Sequence, residues 1–297
     1  MLSILATPLR VGFSFSFIAA NTVLHATPLL LLALLKLALP LPWLRRQLSY
    51  AIEFLARSWI DCNSLMMCRI GGARIVVHGQ AELQAQGWYL VLCNHQSWVD
   101  IPVLQHVFNH RIPILKFFLK RELIWVPLLG LAWWALDFPF MRRYTRQQLE
   151  KNPQLRGKDR EATRRACEKF RDLPVSVMNF VEGTRFTPAK QAQQGSPYAH
   201  LLLPRAGGVA FVLDAMGNLL QSLVDVTIVY PQGRPGMIDL LAGRVREVRV
   251  HLRSLPIPPE LLGGDYDNDE AFRTRFQHWL NELWREKEAT AAALENA

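Results

Sequence analysis

Trp88-Tyr89-Leu90-Val91-Leu92-Cys93-Asn94-His95-Gln96-Ser97-Trp98-Val99-Asp100 is the stretch on which the fold turns. Its first six residues are a short, β-rich apolar run and predict a buried strand. Polar residues from Asn94 to Ser97 break that run, and the pattern from Ser97 to Phe108 predicts a helix, so the order is strand, turn, helix. A histidine in such a turn and an aspartate five positions on, in the first helical turn, can approach each other. The carboxylate would then accept a hydrogen bond from one ring nitrogen, fixing the tautomer and steadying an imidazolium, while the other nitrogen faces a substrate. The nearby helix N-terminus disfavours positive charge on the ring and keeps it a neutral base. Taken singly, His-x-x-x-x-Asp reads more readily as a turn histidine capped by a helical aspartate.

Working outward, similar apolar runs occur at Ala73–His78, Ile112–Phe118, Pro174–Val181, Leu223–Tyr230 and Val245–Leu252, with helical stretches between them. This alternation predicts an α/β fold with a mixed central sheet flanked by helices. Gly71 and Gly72 mark a change of composition, which divides the chain into a helical, apolar segment over residues 1–70 and an α/β domain over 71–297. Thr145 to Asp172 is the most highly charged part, with a helix expected from Asp159 to Phe170 whose basic residues form a solvated face. Asn268 to Glu288 predicts a C-terminal helix with Phe272, Phe276, Trp279, Leu280 and Leu283 on one side.

The N-terminal segment is membrane material. Residues 11 to 44 contain no acidic residue, and Val11 to Leu41 exceeds the roughly 20 apolar residues a spanning helix needs. Pro28 is expected to break the run, so one tilted span and a re-entrant pair of shorter helices both fit. The run is too long for the usual signal-peptide core of about 7–15 residues. Trp43 followed by Arg45 and Arg46 is the order expected where a helix leaves the bilayer toward a cytoplasmic side. Leu48, Ile52, Leu55 and Trp59 then recur at helical spacing, as an interfacial or a core-facing helix would have them. The net charge of +9 suits phosphate head groups, an anionic bilayer or nucleic acid without choosing among them. Cys62, Cys68, Cys93 and Cys167 form no C-x-x-C pair, which argues against a disulfide framework or zinc ribbon and for a reducing, cytoplasm-facing domain.

A base arranged as His95 and Asp100 predict could deprotonate an alcohol as it attacks a thioester carbonyl, with no nucleophilic side chain on the protein. The chain indeed carries no G-x-S-x-G elbow, no phosphate-binding GxxxxGK[ST] loop and no G-x-G-x-x-G turn. A second motif, Phe180-Val181-Glu182-Gly183-Thr184-Arg185-Phe186, also follows a predicted strand. Gly183 permits close backbone approach, Arg185 offers a planar fork for phosphate, and Glu182 can orient it or a substrate hydroxyl. The plain alternative is a strand-ending turn whose Glu and Arg pair with each other.

The two motifs together, in this order and separation, resemble the glycerolipid acyltransferase family typified by 1-acyl-sn-glycerol-3-phosphate acyltransferases. Asn94-His95 through Asp100 looks like its NHxxxxD signature, and Glu182-Gly183-Thr184-Arg185 like its EGTR signature. Lys120 with Glu122, Leu123, Pro127 and Gly130 resembles the family's lysine-bearing stretch, Phe140-Met141-Arg142-Arg143 its arginine-ending strand, and Val226 to Pro231 its final block. The match covers about residues 75 to 232, and a looser similarity to a bacterial inner-membrane acyltransferase runs the whole length. The resemblance implies a membrane-associated α/β fold, acyl-CoA or acyl-carrier protein as donor, no further cofactor, and lysophosphatidic acid as acceptor of the acyl group at its free sn-2 hydroxyl. It implies His95 and Asp100 as the general-base pair, and Lys120, Arg143, Glu182, Gly183, Thr184 and Arg185 at the substrate. It also implies an inner-membrane location with the catalytic domain facing the cytoplasm. Val181 stands where the family commonly has proline, a variation that resembles the lysophospholipid and lysocardiolipin branch, as does Leu203-Pro204-Arg205, which adds Arg205 as a phosphate contact.

His106 and His110 stand four apart on the predicted helix, but Val107 occupies the place of the glutamate in H-E-x-x-H and no third ligand stands nearby, so no metal site is expected. For Trp125, Trp133 and Trp134, core packing is the default and an acyl-chain tunnel or membrane-contacting surface the alternative. Two other classes compete with a transferase: a non-catalytic basic protein of the membrane surface, and a metal-dependent hydrolase. No nucleic-acid motif is present.

Overall fold

The computed structural model describes residues 6–141, 161, 164–165, 167, 170 and 173–297. The eight strands it contains are β1 Arg74–His78, β2 Trp88–Cys93, β3 Leu115–Phe117, β4 Leu119–Lys120, β5 Phe140–Met141, β6 Val175–Phe180, β7 Ser222–Val229 and β8 Glu247–Leu255. Six of them form one sheet in the order β1-β8-β7-β2-β6-β3, and β4 pairs with β5 separately. The main sheet is mixed: β2 runs parallel to both β6 and β7, β3 parallel to β6, and β1 parallel to β8, while β7 and β8 are antiparallel. All six predicted strands are present.

Helices cover both faces, for a reason visible in β2. Tyr89, Val91 and Cys93 face one core, shared with Val103, Leu104 and Phe108 of α3 (Asp100–Phe108). Leu90 and Leu92 face the other, against Val209 and Val212 of α6 (Ala206–Met216) and Phe276, Leu280 and Trp284 of α8 (Glu270–Asn296). A strand buried on both faces reads as a continuous apolar run rather than an alternating one. Helix α8 also carries Lys287, fully buried, whose Nζ donates to the Val226 carbonyl at 2.6 Å and lies 2.5 Å from Asp225 Oδ1. Asp225 in turn accepts from Arg253 at 2.8 Å, so the buried ammonium is offset by a carboxylate already shared with a guanidinium.

The N-terminal segment is a helical hairpin. α1 (Thr7–Ala38) is a single 32-residue helix that continues through Pro28, contrary to the expected break; the chain turns instead at Leu39-Pro40-Leu41, and α2 (Pro42–Ser64) follows. An internal proline costs about 3 kcal/mol. Here α1 is buried on both sides of it, through Asn21, His25 and Ala26 before and Leu29 and Ala33 after. Polar contacts to α2 fix the hairpin: Asn21 Nδ2 donates to Asn63 Oδ1 at 2.9 Å, and His25 Nε2 lies 3.0 Å from Ser58 Oγ. Leu48, Ile52, Ala56 and Ile60 form the buried face of α2, a stripe of strict four-residue spacing. α1 is long and apolar enough to cross a membrane. Its outer side exposes Phe15, Leu24, Leu31 and Leu37.

Short helices complete the fold: α4 (Leu129–Ala135), α5 (Pro188–Gln194) and α7 (Met237–Leu241). The helix expected between Asp159 and Phe170 falls largely outside the described residues.

Candidate active site

Three neighbouring strands, β6, β2 and β7, point their carboxyl ends the same way, and the register sets Cys93 beside both Phe180 and Val226. Crevices beyond such strand ends are where open α/β sheets bind ligands. The three segments leaving these ends are the His95 turn, the Glu182 turn and residues 230–235.

In the first turn His95 Nδ1 lies 2.8 Å from Asp100 Oδ2. Asp100 is fully buried yet saturated with donors: the backbone amides of Gln96 at 2.7 Å and Ser97 at 2.9 Å reach the same oxygen, and the Tyr230 hydroxyl donates to Oδ1 at 2.6 Å. These contacts all point donors at the Asp100 oxygens, and an Nδ1–H donating to Oδ2 leaves Nε2 as the lone-pair nitrogen. Burial and the adjacent Asp100 push the Tyr230 hydroxyl well above the ordinary phenol range, so it remains a donor. The imidazole is only 13% exposed and stacks on the Phe180 ring, centroids 3.9 Å apart. Asn94 ties the turn to the sheet by accepting from the Ile228 amide and donating to its carbonyl, both at 2.9 Å.

The second turn lies against the first: the Phe186 amide donates to the His95 carbonyl at 2.7 Å, and Val181 N to Cys93 O at 3.2 Å. Gly183 has φ 67°, in the left-handed region that favours glycine, and a Cβ there would press on Arg205 Cδ at 3.2 Å, so a larger residue would push the Arg205 side chain aside. Arg205 is brought alongside by its own amide donating to Val181 O at 2.9 Å. Glu182, expected at the substrate, is fully buried, and neither of its oxygens meets a hydrogen-bond partner. Burial drives its pKa well above the usual carboxylate range; the backbone amides of His95 and Leu202 pull the other way without closing a hydrogen bond. Its burial thus disfavours the charged form, and it does not pair with Arg185.

Arg185 instead lies over the Trp98 ring at 4.1 Å, a cation–π contact between the two turns. Lys190, which the sequence reading did not single out, donates to Thr184 Oγ1 at 2.7 Å and to the Arg185 carbonyl at 3.0 Å, fixing the loop between them. Lys120 is exposed at the end of β4, opposite Met141 of β5. Arg143 lies outside the described residues.

Several neighbours of the His95 turn were not singled out as such in the sequence, because their contacts form only in the fold. Phe180, Tyr230 and Arg234 belong to this group, and so does Gln96, whose amide nitrogen donates to the His200 carbonyl at 2.9 Å. The paired histidines, by contrast, separate: α3 ends at Phe108, His110 has φ 63° and reaches Asp61 at 2.9 Å, while His106 lies 3.9 Å from Cys68 Sγ. Among the described residues no group of three or more metal-binding side chains gathers. Of the three tryptophans, Trp133 is half-buried, whereas Trp125, in the 3-10 turn Arg121–Trp125, is 84% exposed and Trp134 46%; α4 turns its small residues Gly130, Ala132 and Ala135 inward.

Comparison with known proteins gives a consistent result. A family model described as Acyltransferase matches residues 74–231, more than half of the chain. The 1-acyl-sn-glycerol-3-phosphate acyltransferase delta of Homo sapiens is 26% identical over 216 residues, covering 67% of this chain and 51% of that protein. The gamma enzyme of Mus musculus is 27% identical over 214 residues, again covering 67% and 51%. The chain thus spans about half the length of the curated relatives it matches. Among solved structures, the 1-acyl-sn-glycerophosphate (LPA) acyltransferase PlsC from Thermotoga maritima superimposes with a TM-score of 0.54 over 95% of this chain and 98% of that one, at 16% identity. At that identity the likeness is one of fold.

Proposed function

Because the chain belongs to the acyltransferase family, we propose that it moves a fatty acyl group from a thioester donor, acyl-CoA or acyl-carrier protein, to the free sn-2 hydroxyl of lysophosphatidic acid or a related lysophospholipid. The observation that carries this reading is the 2.8 Å contact of His95 Nδ1 with an Asp100 carboxylate that three further donors hold in place. With Nδ1–H engaged, Nε2 takes the proton of the acceptor hydroxyl as its oxygen attacks the thioester carbonyl. The tetrahedral adduct then collapses, the C–S bond breaks, and the departing thiolate takes the proton back from the imidazolium. No group of the protein is consumed, and His95 returns to its neutral state.

Arg185, Arg205 and Lys120 are the proposed partners of the acceptor phosphate, with Arg143 added from the sequence. Among the described residues none of Arg185, Arg205 and Lys120 is ion-paired with a carboxylate, whereas Arg57, Arg74, Arg249 and Arg253 all are. Arg185 and Arg205, both on or beside the Glu182 turn and uncompensated, favour an anionic ligand there; Lys120 is added from the sequence. The apolar outer side of α1 supports a membrane anchor within residues 1–70; the proposed position of the α/β domain of residues 71–297, at the cytoplasmic face of an inner membrane, rests on the sequence. The purified full chain, given labelled acyl-CoA with lysophosphatidic acid, lysophosphatidylglycerol or lysocardiolipin in turn, tests the reading and ranks the acceptors. Transfer should withstand chelators, survive His106→Ala and fall by about a thousandfold or more in His95→Ala. Folded wild-type protein that acylates none of the three would leave the binding-protein alternative in its place.

A further inference from the structure

Residues 230–235, which follow β7, contact the catalytic turn through three side chains. The Tyr230 hydroxyl donates to Asp100, Arg234 Nε donates to the Gln96 side-chain oxygen, and the Ser97 hydroxyl donates to the Pro235 carbonyl. Beside this segment opens a cleft of about 280 Å³, lined among others by Tyr230, Gly233, Arg234, Asp239, Arg244 and Glu247. Its charges are unevenly satisfied. Asp239 pairs with Arg244 at 2.8 Å, and Glu247 pairs with Arg74 and with Arg249. Arg234 is the exception: among the described residues no carboxylate lies within ion-pair distance of it. Its guanidinium carbon lies over the Phe186 ring, 3.9 Å from the centroid, and only Nε donates, to Gln96. Both supports adjoin the base directly, since Gln96 follows His95 in the chain and the Phe186 amide donates to the His95 carbonyl. A planar cation fixed on a buried aromatic and an amide, with its other nitrogens unclaimed, is preorganised for an oxyanion.

We propose that Arg234 is a phosphate-binding arginine of this site, holding a phosphate group of one of the two substrates in the cleft beside His95 and Asp100. The inference deepens the proposed transfer reaction and rests on it. The chemistry recognised is a phosphate oxyanion, which the lysophospholipid head group and the phosphates of an acyl-CoA donor share. The Phe186 platform and the Gln96 contact fix the guanidinium plane before the ligand arrives, so that Arg234, unlike an unsupported surface arginine, is already ordered.

Calorimetric binding of free coenzyme A and of lysophosphatidic acid in detergent micelles, with a monoacylglycerol as the phosphate-free control, separates the sources. Arg234→Gln should weaken one of the two phosphate-bearing probes by about tenfold or more and leave the monoacylglycerol unchanged. Loss confined to coenzyme A assigns the donor, and loss confined to lysophosphatidic acid assigns the acceptor. Arg234→Met, which keeps an apolar stack on Phe186 without the charge, should behave the same way and guards against a variant that fails to fold. Unchanged affinity for both phosphate probes in either folded variant would overturn the proposal, as would equal weakening of all three ligands, the mark of a merely structural role. Failure of the transfer reading would look different: the wild type would bind the probes as described and form no acylated product.

Discussion

The turn after β2 and the turn after β6 each hold one fully buried carboxyl group, and the two are treated in opposite ways. Asp100 meets His95, two backbone amides and the Tyr230 hydroxyl. Glu182 meets no partner at all. The first environment offsets the cost of burying a charge, whereas the second raises Glu182 above the usual carboxylate range, so the acids of adjacent turns sit in opposite surroundings. The same side-chain chemistry is thus used in two ways: Asp100 is bound to the imidazole of His95, in the proposed reaction the base it orients, whereas Glu182 is buried without pairing with Arg185.

The comparison can be broken most severely at Asp100. Asp100→Asn keeps the shape but turns an amide toward donors that need an acceptor, and the rate of acyl transfer should fall by roughly ten-thousandfold with lysophospholipid binding little changed. A drop confined to acceptor KM would mean that the carboxylate acts on binding instead. At Glu182 the expected effect is on stability and depends on pH. A buried acid with a raised pKa keeps its proton in the folded state after the unfolded chain has lost it, so folding loses stability as pH climbs from the ordinary carboxylate range toward the raised value. Glu182→Gln, neutral at every pH, should remove that slope: its melting temperature relative to wild type rises as the solution becomes more alkaline. A parallel pair of melting curves across that range would show that Glu182 is ionised in the folded protein. The smallest effect on rate is expected at Tyr230, where Tyr230→Phe removes one of the four donors to Asp100 and should slow transfer by about ten- to a hundredfold, as about 1.5–3 kcal/mol for a hydrogen bond to a charged group implies. Wild-type turnover in that variant would show that three donors already suffice.

How far the residues foretold these two turns differs in an instructive way. Strand β2 and the meeting of His95 with Asp100 are local, separated by five positions, and apolar run length with turn chemistry was enough to read them. The roles of Glu182 and Tyr230 are tertiary. Tyr230 lies 130 residues from the carboxylate it binds, and Glu182 differs from a substrate-facing acid only in what the fold lays over it. Pro28 misled for the same reason, since the packing that carries α1 through it comes from α2. Arg185 was expected to pair with Glu182 or to face phosphate, and its actual support, Trp98, sits in the other motif, where its role shows only once the turns adjoin.

The coupling of His95 to Asp100 is tested most directly by a double-mutant cycle on the rate of acyl transfer with His95→Ala, Asp100→Asn and the combined variant. If the carboxylate acts only by holding the imidazole, the combined variant should be no slower than His95→Ala alone. Losses that multiply, or a His95→Ala protein that transfers at the wild-type rate, would contradict the account.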